Sequence, residues 1–245
     1  MQRNPADTVR SFPQSQDSST GFLTEEQVYQ LLSYLDRLDG ESRLSNHLAK
    51  IGISLLLMLG VRRSEACQMK FEDIVLMGDS WTIRVQGKGG RDRNLPIAPM
   101  LLLELESWFY RRHPEECPRA SFNVAPAAWI DFLKRRSQEP LLISTRATVF
   151  DKALSDGELA RIVRKHCLKA GIPFRVSPHM LRSTAITHAL DQGATHRGVQ
   201  QMAGWTSPLM ISRYDKKRMD PKYSAVHQLR YAQENSRRQR SLEEK

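Results

Sequence analysis

The sequence predicts a mixed α+β chain, predominantly helical, with a small three-stranded antiparallel sheet on one side. Three observations carry that class. Apolar residues recur at helical spacing through most of the chain, as in Val28, Leu31, Leu32 and Leu35. From Asp73 the period changes to strict alternation, with Trp81, Ile83 and Val85 set against Thr82, Arg84 and Gln86. Turn residues then sit where a meander needs them, at Gly78-Asp79 and at Gly87-Lys88-Gly89-Gly90.

Taken in order, residues 1–20 hold almost no large apolar side chain among Gln, Ser, Asp, Asn and Pro, which predicts a disordered N-terminal tail. Thr24 with Gln27 three residues later is a capping box, so a first helix starts there. Leu44 to Leu59 is apolar all round, as a central helix must be, and Gly60 ends it. A further helix is expected from Arg63 to Lys70, and then strands at Ile74–Leu76, Trp81–Val85 and Arg91–Ile97, the last closed by Pro96. Leu101, Leu102, Leu105, Trp108 and Phe109 form a helical stripe, a Pro-punctuated loop runs from His113 to Pro126, and Ala127 to Arg136 reads as a short helix. Ser155 and Glu158 make another capping box, before a helix that stops near Gly171-Ile172-Pro173. The chain is expected to finish as a helix from about Pro221 that frays into a charged tail over residues 236–245, which leaves 21–235 as one domain.

Composition narrows the function. Of 245 residues, 40% are hydrophobic, enough for a substantial core, and the formal net charge is +10. A polyanion partner is therefore favoured, nucleic acid before acidic membrane, since no basic amphipathic anchor stands out. The longest apolar run, from Ile51 to Leu59, is too short to span a bilayer, and a cytoplasmic protein is expected. Cys67, Cys117 and Cys167 are odd in number and far apart, indicating neither a disulfide framework nor a zinc site. No metal-protease, paired-carboxylate or phosphate-loop pattern appears, so phosphate chemistry here calls for no metal, nucleotide or other cofactor.

The chemistry-bearing stretch runs from Ser177 to Tyr214: S-P-H-M-L-R-S-T, then G-W-T-S, then S-R-Y-D. Ser177 suits an N-cap and Pro178 the first helical position, so the helix opens with free backbone N–H groups that attract anions. His179 and Arg182, three residues apart, share a face, and Leu181, Ala185, Ala189 and Leu190 are expected to bury the opposite one. Alone, this helix is better explained as an ordinary amphipathic element with a satisfied His and a solvated Arg.

Two distant segments change the balance. Gly60-Val61-Arg62-Arg63-Ser64-Glu65 follows the central helix, and Gly87-Lys88-Gly89 forms the hairpin tip. Together with the Ser177–Tyr214 stretch they resemble, in order and spacing from about Leu23 to His227, the catalytic domain of the tyrosine recombinase (phage integrase) family. The resemblance implies catalytic positions at Arg62, Lys88, His179, Arg182, Trp205 and Tyr214. Trp205 falls where most members have His and some have Trp, and Tyr214 matches the nucleophile. Glu65 is assigned a supporting role, orienting its neighbours. Arg91, Arg93, Lys216 and Lys217 are expected to contact the DNA backbone.

The implied activity is that of a site-specific recombinase that cleaves and rejoins double-stranded DNA through a 3′-phosphotyrosyl intermediate. A free phenol titrates near pH 10, so Tyr214 needs a proton acceptor and neutralising charge beside the phosphate. Arg62 and Arg182 offer planar donor forks, and Trp205 an indole N–H that cannot titrate. His179 serves as base or donor, a choice the sequence leaves open, and Lys88 resembles the acid that protonates the departing 5′ oxygen. Tetrameric assembly on DNA is implied, with accessory DNA-bending proteins as a further partner class. A type IB topoisomerase-like relaxing enzyme and a non-cleaving DNA-binding regulator of the same fold are the alternatives.

The sequence also departs from the family. Only about 20 low-complexity residues precede the first helix, where most relatives carry a separate DNA-gripping domain. This suits either a catalytic-domain-only recombinase, similar to the short invertases of fimbrial genes, or a shortened form. Ser183 stands where a second His is usual, and the segment from His113 to Glu139 is longer than the usual connection, a candidate for an added DNA or subunit contact.

Overall fold

The computed structural model describes residues 21–39, 43–87 and 90–215. Helix α1 (Glu25–Asp39) begins at the expected capping box: the Thr24 N–H donates to Gln27 Oε1 at 3.0 Å and the Gln27 N–H to Thr24 Oγ1 at 3.2 Å. Helix α2 (Leu44–Leu59) is the axis of the fold. It is buried nearly all round because helices α1, α4 (Pro99–Arg112), α6 (Asp156–Lys169) and α7 (Pro178–Asp191) all pack on it. Gly60 closes α2 with φ of 59°, a left-handed turn that swings the chain into α3 (Arg63–Gln68).

Helix α3 is two residues shorter than its sequence suggests. Met69 and Lys70 leave the helix because they pair as extended chain with the segment at Pro140, where the Leu141 N–H donates to the Met69 carbonyl at 2.7 Å. The sheet follows, with β1 (Ile74–Met77), β2 (Ser80–Val85) and β3 (Arg93–Pro96) antiparallel in that order. Ile74, Ile83 and Leu95 are in register across it, and the face they share is buried. Strand β3 starts later than expected, since Asp92 belongs to the turn and accepts the Gly87 N–H. Thr82 breaks the alternation: it is buried on the far face, its hydroxyl donating to the Val75 carbonyl at 3.2 Å.

The segment from His113 to Glu139 packs into the core. It contains α5 (Pro126–Arg135) and delivers Phe122, Trp129 and Phe132 beneath the sheet, with Phe122 stacked on Trp129 at 4.0 Å and edge-on to Trp81 at 4.7 Å. Three of its aromatic side chains are thus spent on packing. Helix α8 (His196–Ala203) and a short 3-10 helix (Pro208–Arg213) complete the described chain beyond α7. The three cysteines are all buried, and burial pushes the thiols of Cys67 and Cys167 up to about 12. Among the described residues no helix is long and apolar enough to cross a membrane. The tail expected over residues 1–20 and the helix and charged tail expected after Pro221 lie outside the described residues.

Helix α7 corrects the predicted buried face. Ala185, Ala189 and Leu190 are only half-buried, whereas Arg182, Ser183, Thr184 and Thr187 are buried alongside Leu181 and Ile186. The helix is enclosed by α2, α6 and α8, so its polar side needs internal partners. The Ser183 hydroxyl donates to the His179 carbonyl at 2.9 Å and the Thr184 hydroxyl to the Met180 carbonyl at 2.8 Å, while Thr184 also accepts the Leu23 N–H.

Candidate active site

Three helix ends converge. Arg62 caps α3, just past the Gly60 turn; His179 lies in the first turn of α7, where Ser177 accepts the Met180 N–H at 3.2 Å; Arg182 follows one turn later. Arg62, His179 and Arg182 line one cleft of about 320 Å³, with Ser64, Ser177 and the Arg63–Asp156 ion pair at its rim. The structure therefore brings together two basic segments separated in sequence by about half of the chain.

Arg182 is almost fully enclosed and held by two backbone carbonyls, Gly60 and Ala203, each at 2.7 Å. These use two of its five N–H groups and aim the guanidinium plane. Burial, then the neighbouring Arg62 charge, lower its pKa to about 10, which still leaves it cationic at neutral pH. The side of His179 that packs against the protein, and then Arg182, pull the imidazole below its usual value. That shift favours the neutral imidazole, the form that can accept a proton.

Glu65 is the hub. Its carboxylate accepts the Arg62 backbone N–H and the Arg62 guanidinium, both at 2.7 Å, and both Nη groups of Arg93, at 3.2 and 2.8 Å. Burial alone would raise its pKa, but the hydrogen bonds from Arg93 and Arg62 outweigh that and hold it below the usual carboxylate range. Arg182 stands 3.8 Å from the same carboxylate. Glu65 is thus a fixed anion beside three guanidinium groups.

Trp205 and Tyr214 lie side by side at the other edge of Arg182. Their rings stack with centroids 5.1 Å apart and planes 27° apart, and the Arg182 guanidinium carbon lies 6.0 Å from the indole. Tyr214 is 6% exposed and packs with Ile186, Val199 and Ala203. The chain reaches it through the 3-10 helix, and the next residue, Asp215, meets His196 at 2.9 Å. The Phage integrase family model matches residues 21–220. The chain belongs to the phage integrase family.

Among curated relatives of this integrase-family chain, it is 30% identical over 185 residues to tyrosine recombinase XerA of Pyrococcus furiosus, a match covering 76% of the chain and 53% of that protein. It is 32% identical over 162 residues to tyrosine recombinase XerC of Bifidobacterium longum, covering 66% of the chain and 41% of that protein. The chain thus spans about half the length of the curated relatives it matches. Among solved structures, a XerA recombinase aligns over 91% of the chain and 66% of its own length at 23% identity and TM-score 0.60. A XerH recombinase bound to its palindromic difH substrate aligns over 86% of the chain and 54% of its own at 18% identity and TM-score 0.62. The predicted fold class stands: an integrase-family catalytic-domain fold, mostly helical with one three-stranded sheet.

Within that integrase fold, the structure gathers Arg62, Glu65, His179, Arg182, Trp205 and Tyr214. Lys88, Lys216 and Lys217 lie outside the described residues. Arg91 is exposed, lining a second cleft of about 620 Å³ with Arg197, Gln200 and Trp205. Arg93 lines the same second cleft, but its side chain is 11% exposed and its guanidinium is bonded to Glu65 and the Met202 carbonyl, so most of its donors turn into the fold. Strand parity carries the signal: Arg93 shares a face with buried Leu95 and pairs with buried Val85. His196 and the carbonyls of Met202 and Ala203 also went unassigned, and no motif marks them.

Proposed function

We propose that the chain is a site-specific DNA recombinase that cleaves and rejoins double-stranded DNA through Tyr214. The observation that carries the reading is the convergence of Arg62, His179 and Arg182 on one cleft, with the Tyr214 ring stacked on Trp205 beside Arg182. In the cleavage step the Tyr214 oxygen attacks the scissile phosphorus, the bond from phosphorus to the 5′ oxygen breaks, and the phenol proton passes to neutral His179. Arg62 and Arg182 donate to the non-bridging oxygens as negative charge builds there, and Trp205 adds its indole N–H. Lys88 delivers the proton to the departing 5′ oxygen. The phosphotyrosyl bond keeps the energy of the diester, so a second 5′-hydroxyl reverses the step without ATP.

DNA is the partner that a formal charge of +10 and the exposed Arg91 favour. A XerH relative of the same fold has been solved on its DNA substrate, and a lambda integrase as a tetramer bound to a Holliday junction. By analogy the chain assembles as a tetramer on paired sites, in the cytoplasm, with DNA-bending proteins as accessory factors.

The test uses a pool of nicked duplexes with randomised cores, incubated with the protein and denatured in detergent. Covalent protein–DNA adduct that disappears in Tyr214→Phe, with DNA binding retained, is the expected outcome. DNA binding with no adduct in the wild type would leave a non-cleaving regulator. Relaxation of supercoiled plasmid lacking paired sites, with no strand exchange between sites recovered from the pool, would make it a topoisomerase.

A further inference from the structure

We propose that Arg93 is a positioning residue for the phosphate-binding pair Arg62 and Arg182; the inference rests on the reading of the cleft given above. Arg93 does not line the cleft that Arg62, His179 and Arg182 share. It borders the second cleft instead, on the face of β3 that it shares with buried Leu95, with a donor fork on both oxygens of Glu65 at 3.2 and 2.8 Å. Arg62 holds the same two oxygens through its backbone and side chain. Two guanidinium groups thus grip one carboxylate and fix its plane.

The third bond of Arg93 runs the other way. Its Nε donates to the Met202 carbonyl at 3.0 Å, and Arg182 takes the next carbonyl, Ala203, at 2.7 Å. These belong to the last turn of α8, whose carbonyls have no partner within the helix. Gly204 then turns with φ of 63°, and a Cβ there would lie 2.8 Å from Arg93 Nη1, so the guanidinium rests against the turn that leads into Trp205. One side chain therefore ties Glu65, the anchor of Arg182 and the Trp205 turn into a closed frame.

Charge gives the frame a second consequence. Without Arg93, the carboxylate of Glu65 would be shared between Arg62 and Arg182 alone and would cancel part of the field they offer a phosphate. With Arg93 bound to it, that anion is balanced from behind, and both cleft arginines keep their charge for the substrate.

Arg93→Met and Arg93→Lys test this on the full chain with the same nicked-duplex pool. At saturating protein, Arg93→Met is expected to slow adduct formation by about 100-fold, the scale of a misplaced catalytic group. Its DNA affinity should stay within about threefold and its salt dependence should not change, because no phosphate contact is lost. Arg93→Lys, which keeps the charge but not the fork, should recover part of the rate and guards against a Met variant that does not fold. A weaker affinity, a salt slope smaller by about one and an unchanged rate at saturation would make Arg93 a backbone contact and overturn the proposal. Should the wild type form no adduct, the recombinase reading fails instead, and nitrogen NMR of the arginine side chains decides for Arg93. Arg62 and Arg182 signals that shift in Arg93→Lys support the frame, and signals that stay put refute it.

Discussion

The rings of Trp205 and Tyr214 stack at 5.1 Å, which joins the residue at the end of α8 to the phenol that the 3-10 helix carries. In the proposed mechanism the indole has two separable functions: its face supports the attacking phenol, and its N–H reaches a phosphate oxygen. Trp205→Phe keeps a stacking ring but removes the donor, and adduct formation should fall about 100-fold, the usual cost of one transition-state donor. Trp205→Ala removes both and should also expose Tyr214, a residue only 6% exposed in the wild type. Single-turnover adduct formation separates the first effect, and tyrosine absorbance in perturbing solvent reads the second. Equal rates for the Phe variant and the wild type would remove the N–H from the mechanism.

With His179 as the proposed base, its titration is expected to set the acid side of the pH profile. Its pKa is lowered, first by burial and then by Arg182, from the ordinary 6.5. A base must be neutral to accept a proton, so a lowered pKa extends activity downward. The half-point of the acid limb of cleavage at saturating DNA should lie below pH 6.5, and His179→Gln should lose that limb along with most of the rate. A half-point above pH 6.5 would assign the limb to another group.

Glu65 makes the fold acid-sensitive. Its carboxyl is held below its ordinary 4.5 by Arg93 and Arg62, which overcome the effect of burial. A lowered folded value means that the stabilisation is complete above the unfolded value and disappears as pH falls through the folded one. Glu65→Gln leaves enclosed guanidinium groups without their anion, and a loss of about 3–5 kcal/mol is expected near neutral pH. The gap between mutant and wild type should narrow as pH drops below 4.5. Thermal denaturation across that range measures both effects, and a gap that does not change with pH would show that the charge of Glu65 contributes nothing.

How much of this was legible in the sequence depended on whether a signal is local. The capping boxes at Thr24 and Ser155 and the Gly60 stop are local, and each element starts or ends where its residues indicate. The Arg62–Glu65 contact is local too, three residues apart within one turn. Helix α7 was misjudged because its burial is decided by neighbours on three sides, against which hydroxyls back-bond where a stripe of Leu and Ala was expected. The internal partners of Arg93 are hidden for a similar reason: a basic residue beside a hairpin tip looks solvated until the distant Glu65 and Met202 come to it. The His113–Glu139 segment contains Trp129 and Phe132 in plain view, but their target, the underside of the sheet, emerges only in three dimensions.

Cleavage should persist in EDTA, and the argument lies in how the carboxylates of the site are engaged. A magnesium ion at a phosphodiester is held by free carboxylates. Here Glu65 is bound on both oxygens by Arg62 and Arg93, and Asp156, at the rim of the cleft, is paired with Arg63 at 3.2 Å. In the proposed reaction the charge opposite the phosphate comes from Arg62 and Arg182, which is the neutralisation that a divalent ion would otherwise supply. Adduct formation on nicked duplex should therefore be equal, within about twofold, with EDTA and with added magnesium once ionic strength is matched. A strict magnesium requirement for the covalent step would contradict the assignment of transition-state charge to the two arginines.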